Sequence, residues 1–301
     1  MNFLLTILSR HFYLPAKWKG RLKIMDINEI RSQIVKAVEN VRKNNPLAGS
    51  VTNTVTMNLV ANAQLAVGGS AAMVFLPDEA ESLATVGKSL YINVGTMSPI
   101  YGETFPRVAK SLKSVESPWV LDPVGIGIGD LRTKSLQIFK DYPPKIVRGN
   151  ASEIIALSGL WELDGGSEVS NVRGVDSQDS VDQAKLAAIA LAKYIKGAVA
   201  VSGEVDLVTD GKIVARSYGG SHFMEKITGA GCSLGGVCAI YATCASPFIA
   251  ALTGTAIYNL AGKRAGEKVA GPGSFEVEFL DELYKATGEE VANNKLEIEE
   301  I

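Results

Sequence analysis

The stretch Ile227-Thr228-Gly229-Ala230-Gly231-Cys232-Ser233-Leu234-Gly235-Gly236 is the key to the chain. It follows a strand-like segment and opens a long apolar run, Val237-Cys238-Ala239-Ile240-Tyr241-Ala242. Glycines at a loop-to-helix junction let the backbone come close to a ligand. The first N–H groups of the helix have no intrahelical partner, and the helix dipole favours an anion beside them. Cys232 stands at the head of this helix, a position that lowers a thiol pKa. Phosphoryl transfer is the chemistry this arrangement suggests. The plain alternative is a Gly-rich turn with a buried, inert Cys, because short Gly patterns recur by chance.

Outward from that junction, strand and helix alternate. Asp26-Ile27-Asn28-Glu29 has capping-box form with Asp as the cap, and Ile27, Ile30, Ile34, Val38 and Val41 keep helical spacing to about Asn44. Pro46 and Gly49 break that helix. A second runs from Thr54 to about Ala66 and ends at Gly68-Gly69. Strands are expected at 72–76, 90–94, 119–121, 145–148 and 198–201. Helices are expected from 78 and at 98–115, 133–141, 151–157 and 180–195. Apolar strands alternating with helices indicate a parallel sheet covered on both faces. Segments 205–209 and 213–218 flank the hairpin turn Asp210-Gly211 and add an antiparallel pair. Helices at about 233–245, 248–268 and 276–287 follow, and Lys295 to Ile301 reads as a frayed tail. Trp161 to Gln178 has no assignment; a loop of that length is functional or mobile. No linker divides the chain, so residues 25–301 read as one α/β domain.

Composition narrows the function. A chain of 301 residues with 47% hydrophobic and 21% charged residues has a globular composition and room for a large core. A formal charge of −2 supplies no basic field for nucleic acid. Cys232, Cys238 and Cys244 lack a C-x-x-C pattern, which disfavours zinc or a disulfide framework and fits a reducing cytoplasm. His11 and His222 are the only histidines, which disfavours a His-based triad. Phe3 to Leu8 is far shorter than the roughly 18 to 20 residues of a membrane span and has no basic stretch before it. Residues 1–24 read as an extension outside the fold, with Met25 as the natural start. A membrane or organelle address is the alternative.

In open parallel sheets, ligands bind beyond the carboxyl ends of the strands. That rule selects Asp122-Pro123-Val124-Gly125, Arg148-Gly149-Asn150-Ala151-Ser152-Glu153 and Ser202-Gly203-Glu204, together with the Gly229 loop. They gather carboxylates, an Arg, a hydroxyl and an anion cradle, the groups a magnesium–nucleotide site needs. Each has a plainer reading: Asp122 as a strand end, Glu153 as the partner of an Asn150 N-cap, Arg148 as a surface charge, Ser202 as a turn residue and Met73 as core. Gly125-Ile126-Gly127-Ile128-Gly129 fails the G-x-G-x-x-G spacing, and no G-x-x-x-x-G-K-[ST] occurs, so an NAD enzyme and a P-loop ATPase are disfavoured.

Eight segments taken in order resemble the hydroxyethylthiazole kinases, vitamin kinases of the ribokinase-like fold. They are Val51-Thr52-Asn53, Gly69-Ser70-Ala71-Ala72-Met73, Asn93-Val94-Gly95-Thr96, Asp122-Pro123-Val124-Gly125, Arg148 to Glu153, Gly203-Glu204-Val205-Asp206, Gly229-Ala230-Gly231-Cys232 and Gly271-Pro272-Gly273-Ser274-Phe275. The likeness runs from about Val51 to Thr287. Relatives of this fold usually carry Asp at the end of G-x-G-D, so Cys232 narrows the match. The resemblance implies a three-layer sandwich with a mostly parallel central sheet and helices on both faces. It implies ATP- and Mg²⁺-dependent phosphorylation of the hydroxyl of 4-methyl-5-(2-hydroxyethyl)thiazole, for thiamine biosynthesis or salvage. It implies catalytic Cys232, Gly229 and Gly231, and substrate contacts from Met73, Gly229 and Asn53. It implies ATP contacts from Arg148 and Ser202, Mg²⁺ at Asp122 and Glu153, and a homotrimer with active sites between subunits. Gly49 stands where the family commonly has His, which leaves substrate preference less fixed than reaction type.

Rival readings are a kinase for a pyrimidine or pyridoxal, a nucleotide-dependent dehydratase of the same fold, and a non-catalytic sensor. Cys232 and Met73 disfavour the first two, and Asp122 with Glu153 disfavours the third. In a loose phosphoryl-transfer transition state a base does little, so the Gly229 loop N–H groups and Mg²⁺ are expected to matter more than the thiol.

Overall fold

A computed structural model describes residues 26–167 and 180–301 of the chain. The expectations for residues 1–24, and for most of the unassigned stretch before Ser180, fall outside the described residues. The first half of the chain runs α1 (Ile27–Asn44), β1 (Leu47–Val51), α2 (Met57–Ala66), β2 (Ser70–Met73), α3 (Pro77–Val86), β3 (Ser89–Asn93), α4 (Tyr101–Ser114) and β4 (Trp119–Asp122). It continues with α5 (Asp130–Asp141), β5 (Ile146–Asn150), α6 (Ala151–Leu160), α7 (Val181–Ile195), β6 (Ala198–Ser202), β7 (Asp206–Thr209) and β8 (Ile213–Ser217). The last elements are α8 (Ala230–Ala242), α9 (Pro247–Lys268), α10 (Pro272–Lys285), α11 (Gly288–Asn293) and β9 (Leu296–Glu300).

Among the described residues the strands form one sheet in the order β2-β1-β3-β4-β5-β6-β7-β8-β9. β2 to β6 pair in parallel, and β7, β8 and β9 continue the sheet antiparallel. Alternate residues of each strand supply two separate cores. Val120, Ile146, Ala198 and Ala200 pack under α1, α2 and α8 to α11. Leu121, Val147, Val199 and Val201 pack under α3 to α7. A strand buried on both faces carries a near-continuous apolar run, which is why the parallel strands stand out in the sequence. The result is the expected three-layer sandwich.

Two expectations fail. β1 is absent from the sequence reading because Gly49 looks like a breaker. In the fold a Cβ at Gly49 would come within 2.8 Å of Leu83 Cδ1 and 2.9 Å of Leu90 Cδ1, so α3 and β3 pack closely over this strand and a larger residue would require both leucines to shift. The frayed tail is also a correction. Thr287 and Glu290 form a capping box that starts α11, and β9 then pairs antiparallel with β8, with Leu296 buried. Without β9, strand β8 would be an open edge. Leu296→Ala should cost about 2 kcal/mol, near the low end for a buried leucine. Urea unfolding checks this, and a loss below about 0.5 kcal/mol, the range of a neutral surface change, would restore the frayed-tail reading.

Candidate active site

Strand parity decides which polar residues meet. Tyr91 and Val120 are partners across β3 and β4, and both belong to the core beneath α8. Two residues further along, Asn93 and Asp122 are partners and share that face. Arg148 lies two residues beyond Ile146, and Ser202 two beyond Ala200, on the same side. The carboxyl ends of β3 to β6 therefore present Asn93, Asp122, Arg148 and Ser202 together under the start of α8.

That start is a glycine junction, as expected. Gly229 caps α8 with φ +94°, a left-handed conformation that favours glycine, and a Cβ there would come within 2.9 Å of Thr56 Cβ. The Ser233 N–H bonds the Gly229 carbonyl at 2.8 Å, which leaves the earlier N–H groups of the turn free of intrahelical partners. A Cβ at Gly231 would fall 2.7 Å from Arg148 Nη2, so the guanidinium lies directly against the helix start. A cavity of about 680 Å³ opens here. Asn53, Arg148, Glu153, Gly229, Gly231 and Cys232 line it. Asp122 and Ser202 lie behind its wall: Arg148 Nη1 is 3.4 Å from Asp122 Oδ2, and Nη2 donates to Ser202 Oγ at 2.9 Å. Met73 is not among the lining residues; it ends the edge strand β2. Gly49 does not line the cavity either.

The electrostatics are those of a crowded acidic site. Asp122 is 0% exposed and Glu153 is 3% exposed. Burial raises the Asp122 pKa, and Arg148 and the Tyr91 hydroxyl pull it back only in part. Burial and the charge of Asp122 together raise Glu153 to about 7, against the opposing pull of Arg148 and of the Asn150 and Gly125 N–H groups. Asp122 Oδ1 is buried and has no hydrogen-bond partner. Two buried carboxylates that repel each other, one with an idle oxygen, are a donor set that fits a hard divalent cation. Among the described residues no three His, Cys, Asp or Glu side chains cluster, so a closed all-protein cage is absent. That suits Mg²⁺, which usually keeps several waters and takes phosphate oxygens.

A profile of the hydroxyethylthiazole kinase family matches residues 38–289. A hydroxyethylthiazole kinase of Bifidobacterium longum subsp. infantis is 49% identical over 285 residues, covering 89% of this chain and 91% of its own. The chain belongs to the hydroxyethylthiazole kinase family. The solved hydroxyethylthiazole kinase of Pyrococcus horikoshii is 29% identical with a TM-score of 0.78, covering 89% of this chain and 98% of that one. A ribokinase-like superfamily protein of Enterococcus faecalis matches at 12% identity with a TM-score of 0.57, over 87% of this chain and 95% of that one. That likeness shows the shared ribokinase-like fold alone.

In this member of the hydroxyethylthiazole kinase family the thiol is not activated. Burial and the Asp122 charge push Cys232 up to about 11, the reverse of the expected helix-terminus effect. Three contributors escaped the sequence reading. The roles of Tyr91 and Asn93 emerge only with the β3–β4 register, which makes Asn93 the partner of Asp122. Arg132 left no sequence signal: its guanidinium donates to the Val94, Gly95 and Ile128 carbonyls and ties the loop after β3 to the loop after β4.

The turn after β6 hangs on Asp206. Its Oδ1 accepts from the Gly203 N–H at 2.8 Å and its Oδ2 from Asn259 Nδ2 at 3.0 Å. Burial raises its pKa from 3.8 to about 6 despite those bonds. The folded protein thus holds this proton more tightly than the unfolded chain. The resulting stabilisation is complete below about pH 4 and lost as pH rises through about 6. Relative to wild type, Asp206→Asn should therefore gain about 3 kcal/mol across that window and stay level above it. Urea unfolding at a series of pH values reads the slope; a pH-independent difference would refute the assignment.

Proposed function

We propose that this chain transfers the γ-phosphoryl group of ATP to the primary hydroxyl of 4-methyl-5-(2-hydroxyethyl)thiazole, giving the thiazole phosphate and ADP. The supporting observation is the convergence of the Gly229–Cys232 helix start with Arg148, Asp122 and Glu153 around one cavity. Free N–H groups at the helix start meet the charge that spreads over the moving phosphoryl oxygens. Arg148, against the same helix start and braced by Ser202, neutralises phosphate beside those N–H groups. Asp122 and Glu153 would hold Mg²⁺, which would supply positive charge against the phosphates. Asn53, 3.7 Å from Cys232 Sγ, borders the thiazole end. The substrate hydroxyl loses its proton late in a loose transition state and passes it to an oxygen of the transferred phosphoryl group, so Cys232, protonated with a pKa of about 11, is not needed to accept it.

Met73 enters this reading through a homotrimer. It lies at the outer edge of the sheet, where it would complete a neighbouring subunit's thiazole pocket rather than its own. We also place the protein in the cytoplasm, on the strength of its three free thiols. Among the described residues no helix is long and apolar enough to cross a membrane.

A coupled ADP-release assay with the thiazole and a panel of vitamin and sugar alcohols tests the reaction; equal turnover of pyridoxal would reject the thiazole assignment. Cys232→Ala should lower kcat by about 10-fold and Cys232→Asp should keep activity, because the usual share of a general base is about 10² to 10⁴. A loss beyond about 10⁴-fold for the Ala variant would make the thiol an essential base. Met73→Asp and Glu153→Gln proteins, each inactive alone, should recover activity when co-expressed. No recovery would remove the shared-site trimer.

A further inference from the structure

Tyr91 is fully buried in β3, and its hydroxyl has a single fixed sense. The Gly95 backbone N–H can only donate, and it meets Asn93 Oδ1 at 2.9 Å. Asn53 Nδ2 donates to the same oxygen at 2.8 Å. The Asn93 amide is therefore oriented with Nδ2 toward the Tyr91 oxygen, to which it donates at 2.8 Å. The tyrosine proton is left one acceptor, Asp122 Oδ2, at 2.9 Å. Arg148 approaches that same oxygen, while Oδ1 has no partner.

The core makes two concessions to this bond. A Phe or Leu would fill the space without burying a hydroxyl, and a buried hydroxyl stabilises only when bonded. Across the ring, α8 carries Gly235 at a buried interior position, where glycine costs about 1 kcal/mol against alanine. A Cβ there would fall 2.3 Å from Tyr91 Cε2 and 2.9 Å from its hydroxyl oxygen. The helix thus gives up its side chain to seat the phenol.

We propose that Tyr91 is the positioning residue of Asp122: oriented by Asn93 and seated by Gly235, its hydroxyl holds Oδ2 and leaves Oδ1 as the oxygen offered to the divalent cation. This rests on the reading that Asp122 serves a cation.

The test is Mn²⁺ titration of the full-length protein, read by the loss of the free-ion electron paramagnetic resonance signal, for wild type, Tyr91→Phe, Gly235→Ala and Asp122→Asn. Removing a partner that orients a ligand typically costs about 10- to 100-fold in metal affinity. Because Arg148 stays on Oδ2, Tyr91→Phe should weaken Mn²⁺ binding by about 10-fold. Its kcat should fall while the thiazole KM holds, and its far-ultraviolet circular dichroism should match wild type. Gly235→Ala should move in the same direction, because its methyl group displaces the ring. Wild-type protein that binds no Mn²⁺, or Asp122→Asn protein that binds it as wild type does, overturns the cation reading itself; Glu153→Gln replaces Asp122→Asn if the latter does not fold. Loss of binding in that control beside undiminished binding in Tyr91→Phe overturns the role of Tyr91 alone.

Discussion

A fully buried carboxylate is costly unless it is paired, and Asp122 is 0% exposed. Arg148, reaching across from the next strand, is the group that makes it tolerable. Burial alone would lower the guanidinium pKa, but Asp122 and Glu153 outweigh it and the net shift is upward. From this pair the rest of the site follows. Ser202 takes the other arm of the guanidinium, Gly231 gives it room beside the helix, and Glu153 folds back to cap its own helix. Removing either partner would leave an unpaired buried charge, so the pair links folding to the competence of the site.

The capping box at Asn150 shows how one residue serves both ends. Glu153 Oε2 accepts from the Asn150 N–H at 2.8 Å, while Asn150 Oδ1 accepts from the Glu153 N–H at 2.9 Å. The plain reading of Glu153 as a cap partner is therefore true. It does not exclude a cation role, because the box keeps the side chain at the cavity wall. Local helix chemistry has placed an acid where the sheet edge can use it.

Much of this was legible in the sequence because the parallel strands are buried on both faces and announce themselves as apolar runs. The glycine junction was legible because its left-handed cap and close approach to Arg148 leave few other residues possible. What escaped has physical causes. β1 contains Gly49, whose use is close packing rather than turning, and sequence alone does not separate the two. β9 is short and polar on alternate positions, so its order depends on β8 being present. Arg132 acts through carbonyl groups that only the folded loops bring together. Tyr91 looks like one more apolar strand residue until its register against β4 is known.

Charge balance also bears on the thiol at position 232. Arg148 is the cation that offsets both Asp122 and Glu153, and Asp122 already raises the pKa of its neighbours. A third carboxylate at the helix head would add another charge to the same buried group before any nucleotide or cation arrived. A thiol with a pKa of about 11 is neutral at physiological pH and adds none. It keeps a polarisable atom 3.7 Å from Asn53 Nδ2, beside the free N–H groups of the helix start. Proton abstraction is the service it gives up, and a loose phosphoryl transfer depends on that service least. The cysteine thus fits a site built from a helix start, a guanidinium and two buried acids, and it spares the fold one more buried charge.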